Sequence, residues 1–281
     1  MNLRSSTTTV GRRLSRSAEH GAGRIRKPAF YAVTAAFVAF LLLAIGESMT
    51  MVGNAWFADY GFPAHRVHHL MIGGMLTIFA ATIAIQLYRP AKRVGALQAA
   101  IAFVIAAFTL TVVASGVAAA GELLVFAVPV ALITLLHPAR AALVPSLERL
   151  DLRLFALAAV GALGFWVVAA GEYVSHTTLL NEHTVFGHYE FMLFALVSIG
   201  LFALLAAARP VGWRALAYAA AAMALLYGAG SLAFPGLEQG SSLDLIASLA
   251  VIAWALAFIG LAEYVDRTDS TAPSAESDAA E

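Results

Sequence analysis

Eight stretches of roughly membrane-crossing length contain no Lys, Arg, Asp or Glu: residues 28–46, 67–88, 94–121, 123–139, 154–171, 191–208, 215–237 and 245–262. About 20 apolar residues in a helix cross a hydrocarbon core of about 30 Å. Lipid offers the backbone no hydrogen-bond partner, so each such stretch must satisfy its own peptide groups as a helix. The predicted fold class is therefore all-α: a polytopic membrane protein with eight transmembrane helices. Only 12% of the residues are charged, against about 25% in soluble domains, and 281 residues leave no room for a separate soluble domain. The stretch 123–139 is short and carries Pro129; its helix is expected to begin near Ala118, which brings Glu122 into the first turn.

Basic residues in short flanks mark the cytoplasmic side. Seven of the 17 lie in the first 27 residues, and with that end inside, Arg89, Lys92, Arg93, Arg140, Arg149, Arg153, Arg209, Arg214 and Arg267 also fall inside. Arg66 is the one exception, so both termini are predicted inside and the protein is predicted to be a multi-pass plasma-membrane protein. The pair Arg12-Arg13 is read as part of the inside terminus and not as an export signal, because the apolar stretch begins about 14 residues later and no small-residue cleavage site follows.

A weak internal repeat is present. Gly46-Glu47 recurs as Gly171-Glu172 at an offset of 125, and Arg89-Pro90 as Arg209-Pro210 at an offset of 120. Carrying the offset of 120 back along the helix superposes His68 on His188. Four spans separate equivalent positions, which predicts two parallel four-helix repeats related by an axis along the membrane normal. The organisation is then a cytoplasmic basic tail over 1–27, a first repeat over 28–139, a cytoplasmic linker over 140–153, a second repeat over 154–265 and a disordered acidic cytoplasmic tail over 266–281.

Net charge is zero, which removes a basic surface for nucleic acid. There is no cysteine, which removes thiolate sites and iron–sulfur clusters. Six of the eight histidines fall at the outer face: His65, His68, His69, His176, His183 and His188. Ionisable groups near membrane depth are costly and tend to be functional. His65 and His69 stand four residues apart and share a helix face if the helix begins by Pro63, and two imidazoles one turn apart can chelate one metal ion. The candidate metal or cofactor ligands are His65, His68, His69, His183 and His188 with Glu47 and Glu172, and His68 and His188 are the symmetric central pair. Imidazole with carboxylate accepts copper, iron or zinc, and a haem between the halves is a further option. Met49, Met51, Met71, Met75 and Met192 would suit Cu(I), although methionine in a membrane helix also fills the core. His137, beside Pro138 at an inner helix end, is read as structural.

The segment His65–His69 matches the H-x-x-HH element of membrane fatty-acid desaturases, but the further boxes of that family are absent and its boxes face the cytoplasm. The eight-span duplicated plan, His65-Arg66 entering helix 2, and His188 resemble haem A synthases. The chain departs from that family where it has histidines at the outer ends of helices 4 and 8, because Glu122 and Asp244 stand there. The family's glutamate before its His-Arg pair is also missing.

The leading expectation is a membrane protein that binds a metal ion or haem at its outer face, with a redox or oxidase-assembly role, as a membrane oxidoreductase if it is an enzyme. Its partners would be the bilayer and a periplasmic electron carrier, quinol or an oxidase complex. A proton- or cation-coupled transporter and a non-catalytic subunit of a membrane complex are the alternatives. The transporter is disfavoured by acids that all lie near span ends.

Overall fold

A computed structural model describes residues 6–237 and 239–271, with side chains over 25–237 and 239–268. Among the described residues the chain is helical without strands, and eight helices are long and apolar enough to cross a membrane. We number these α1 (Ile25–Ala44), α2 (Pro63–Leu87), α3 (Val94–Ser115), α4 (Val117–Leu136), α5 (Leu152–Thr178), α6 (His188–Ala207), α7 (Arg214–Ala233) and α8 (Leu245–Thr268). The first belongs to a helix that begins at Ser6, and the last runs on to Thr271. Residues 266–271 of the expected disordered tail are thus helical, because α8 carries on past its apolar segment. The acidic tail over 272–281, residues 1–5 and the His20 side chain lie outside the described residues.

The helices α2, α3, α6 and α7 form the centre, with half to two-thirds of their apolar windows buried. The pairs α1/α4 and α5/α8 flank them on opposite sides and turn most of their surface outward. Leu43, Leu135, Val167 and Ile246 are among the exposed large apolar residues of the flanking helices. Such a surface is unfavourable in water and suited to lipid.

Local signals set the helix ends. Pro63 opens α2 in a 3-10 turn over Pro63–His65, where a fixed φ and a missing N–H cost nothing. Asp151 caps α5 by accepting from the backbone N–H groups of Arg153 (3.0 Å) and Leu154 (3.1 Å). Its ion pair with Arg153, together with these backbone bonds, holds its carboxyl below the usual range. The break between α3 and α4 falls at Gly116, whose φ of 89° a side chain would oppose. The second helix accordingly starts at Val117, one residue before the expected position, and carries Glu122 exposed near its start.

The basic end of the bundle is tied together by side chains reaching backbone carbonyls. Arg26 donates to Leu136 O and His137 O, Gln98 to Leu143 O, and Gln86 to Thr82 O and Arg93 O. His137 is buried here with its ring edge-on to Phe30, and its Nδ1 accepts from Ala139 N at 3.1 Å. The contacts support its reading as structural.

Candidate metal centre

Five of the outer histidines meet at the other end of the bundle. His65, His68 and His69 come from the first two turns of α2, and both His68 and His69 are buried. His188 opens α6, and Gly187 before it adopts the left-handed backbone (φ 69°) that turns the chain into the helix. His183 is supplied by the single helical turn Glu182–Val185. Asn181 fixes that turn: its side-chain oxygen accepts from Thr184 N at 3.1 Å and its amide donates to Tyr189 Oη at 3.0 Å.

Ring nitrogens of His65, His183 and His188 all lie within 4.8 Å of one another, and all three residues are buried. The Nδ1 atoms form a contiguous row: His65 to His188 at 2.9 Å, His188 to His183 at 3.5 Å, and His183 to His68 at 3.0 Å. Bonds of about 2.1 Å in a tetrahedral site place ligand nitrogens about 3.4 Å apart, close to these spacings. The rings of His65 and His183 stack with centroids 4.2 Å apart. Neutral imidazoles each have one N–H donor and one lone pair, so the rings can bond one another as N–H···N or turn their lone pairs together onto a cation.

The groups behind these rings hold them in place. His65 Nε2 lies 3.6 Å from the Glu182 carboxylate. His188 Nε2 meets His69 Nε2 at 3.3 Å, and His69 Nδ1 bonds the Tyr60 hydroxyl. His68 Nε2 bonds Ser241 Oγ at 2.9 Å, and the same hydroxyl bonds the Glu172 carboxyl. Ser241 has φ 60°, an unfavourable backbone for a residue with a Cβ. Carboxylates and carbonyls behind metal-binding histidines orient the ring and raise its basicity. Glu182 stands in that relation to His65, and Glu172 to His68 through Ser241.

Of the other predicted site residues, Glu172 is buried on α5 with its Oε2 unpartnered. Sequence position placed it at a span end, and the structure buries it on α5. Glu47 is exposed on the short helix Gly46–Asn54 and is not among the described groups whose ligand atoms converge. His176 stands apart: its Nε2 bonds Ser115 Oγ at 2.9 Å, which also donates to Glu190 Oε1 at 3.0 Å. Glu182, Ser241 and Tyr60 are the residues that sequence reasoning missed. The i, i+1 position of Glu182 beside His183 was a signal for the first of them.

Burial, and then the neighbouring His65, lower the basicity of His183 to a pKa of about 4, against an opposing pull from Glu182. A histidine in the unfolded chain titrates near 6.5, so between about 6.5 and 4 the unfolded state binds a proton that the folded state refuses. The contribution of His183 is therefore complete above pH 6.5 and declines as the pH falls to about 4. Thermal unfolding of the metal-free protein is expected to shift downward over that window, and more steeply in the wild type than in His183→Asn. Equal pH slopes for the two proteins would rule out His183 as a source of the acid sensitivity.

A cavity of about 560 Å³ adjoins the cluster, bounded by α2, α3, α4, α6, the short helix Gly46–Asn54 and the chain just before α2 and α6. His65, His69 and His188 stand on its wall, and it runs inward past Leu76 and Phe103. No family model, curated protein or solved structure matches the chain.

Proposed function

We propose that this chain is a plasma-membrane protein that binds one transition-metal ion through His65, His183 and His188 at the outer face, between two four-helix repeats. The observation that carries the reading is the convergence of three buried imidazoles from α2, the Glu182–Val185 turn and α6, with ring nitrogens within 4.8 Å. Three protein ligands leave one position of a tetrahedral ion open, the pattern of reactive metal sites as opposed to closed structural ones. Imidazole ligation suits zinc, copper, iron or nickel. Haem is the weaker fit, because the cavity lining contains no Lys or Arg to meet two propionates.

Several observations support the duplication. The packing is two-fold in pattern: α1 with α2 and α4 corresponds to α5 with α6 and α8, and α2 against α7 corresponds to α6 against α3. Leu87 and Ala207 end α2 and α6 at an offset of 120, and Val94 and Arg214 begin α3 and α7 at the same offset. Arg89 and Arg209 both hold the left-handed backbone, at φ 51° and 52°, each before a proline. Residues preceding proline avoid the right-handed helical region, so the same device ends the helix in both halves. The inside orientation of the termini rests on the Lys and Arg count.

The test is metal analysis and an absorption spectrum of detergent-solubilised protein, followed by chelation and titration with Zn²⁺ or Cu⁺. The expected result is one ion per chain, no Soret band, and a thermal midpoint raised by metal; saturation at 100 times Kd stabilises by about 2.7 kcal/mol. A protein that binds no more metal than the variant with His65, His183 and His188 all replaced by Ala would overturn the reading.

A further inference from the structure

We propose that the 560 Å³ cavity beside the histidines is a binding site for a membrane-soluble quinone or quinol, with its ring head at His69 and His188 and its isoprenoid chain running inward. The site goes beyond the metal reading: it shares His65 and His188 with the trio, but the apolar cavity that carries it is a separate observation.

Polarity is graded along the cavity. Imidazoles stand on its wall at one end, with the rings of Phe62 and Phe186 against them, and Phe103, Phe126, Phe191 and Phe194 line it with Leu76 and Val104. On α2 the lining runs from His65 to Leu76, eleven residues or about 16 Å along the helix. The occupant is therefore elongated, with one polar end. The volume lies within the usual range for a site that encloses a small organic ligand, about 300–1,000 Å³.

The charge of the head follows from what the wall lacks. The lining contains no Lys, Arg, Asp or Glu, and Arg66 beside it spends its guanidinium on the carbonyls of Ala55, Phe57 and Ala58. A fatty-acid carboxylate, a phosphate headgroup or a haem propionate would be buried there without a counter-ion, at a cost of several kcal/mol. A quinone carbonyl or quinol hydroxyl is neutral, so it enters a wall without counter-ions at no such cost, and the imidazole rings give that end of the wall its polar surface. A planar ring also suits an aromatic wall, where stacked and edge-on contacts add about 0.5–1.5 kcal/mol each beyond burial.

The experiment titrates the detergent-solubilised, metal-loaded protein with decylubiquinone and follows tryptophan quenching and thermal midpoint, with oleate as the anionic control. Saturable quinone binding is expected, with no saturable response to oleate. Leu76→Trp, which fills the inner part of the cavity away from the trio, is expected to weaken quinone binding at least tenfold while metal content stays at the wild-type level. Val104→Phe, from the facing wall on α3, is the second filling variant should Leu76→Trp fail to fold. Quinone binding that both variants leave unchanged, or preferential binding of oleate, would overturn the proposal. If the wild type binds quinone but no metal, the quinone site stands and the metal reading falls; metal binding without saturable quinone binding overturns the quinone site and leaves the metal reading standing.

Discussion

His188→Ala is expected to lower metal affinity at least a hundredfold, about 2.8 kcal/mol, the largest binding loss of any single change in the cluster. His188 is the ring on which the others converge, with its Nδ1 at 2.9 Å from His65 and 3.5 Å from His183, and its Nε2 at 3.3 Å from His69. Removing it leaves two imidazoles and an enlarged opening toward the cavity. The residues behind the rings should rank below it. Glu182→Gln, His68→Ala and Ser241→Ala disturb the orientation of a ligand without removing one, which typically costs ten- to a hundredfold. Glu47→Ala and His137→Ala should leave affinity unchanged, the first because it is exposed on the short helix Gly46–Asn54 and the second because it is buried at the opposite end. Isothermal titration of the chelated proteins with Zn²⁺ gives the ranking. Wild-type affinity in His188→Ala, or a large loss in His137→Ala, would place the metal elsewhere.

The eight spans were legible in the sequence because uncharged runs of about 20 residues are a coarse signal that packing does not need to refine. The gathering of histidines at one end followed from the same count, since an even alternation of spans carries the N-terminal ends of α2 and α6 to one face. Choosing the ligands needed more than register. The offset of 120 pairs His68 with His188, and His68 does reach His183 with Nδ1 while its Nε2 bonds Ser241, but the three rings whose nitrogens fall within 4.8 Å of one another are His65, His183 and His188. His183 depends on a four-residue turn capped by Asn181, and such a turn leaves no periodic trace. The partner of His68 depends on Ser241 in a left-handed backbone, and nothing in a Gly-Ser-Ser segment announces which residue adopts it. Gly116 likewise sits in a long apolar run with Gly121 five residues on, and composition does not say which of the two breaks the helix. In each case a loop conformation decided what helix periodicity left open.

Arg66→Ala is expected to destabilise the protein by about 3 kcal/mol, the largest stability loss of any single polar substitution at this end, because hydrogen bonds from a charged donor contribute about 1.5–3 kcal/mol each when buried. Its guanidinium donates to Ala55 O at 2.6 Å, Phe57 O at 2.8 Å and Ala58 O at 3.2 Å, so one side chain gathers the end of the short helix Gly46–Asn54 and the loop after it. The guanidinium also lies 4.8 Å from the Phe234 ring centroid, which joins the start of α2 to the end of α7. Ala55 is buried, so water cannot replace the donor there, whereas the exposed Phe57 and Ala58 can recover part of the loss. Arg66→Lys should restore less than half, since a single ammonium has no planar fork with which to bridge three carbonyls. Because Tyr60 lies in the same loop and bonds His69, releasing the loop should also loosen the histidine end. Thermal unfolding of metal-free and metal-loaded protein separates the two effects: a lower midpoint in both forms, with a loss of affinity of at most about tenfold, is the signature of a clamp. An Arg66→Ala protein as stable as the wild type would overturn the clamp, and one that loses metal as completely as His188→Ala would assign Arg66 to the site itself.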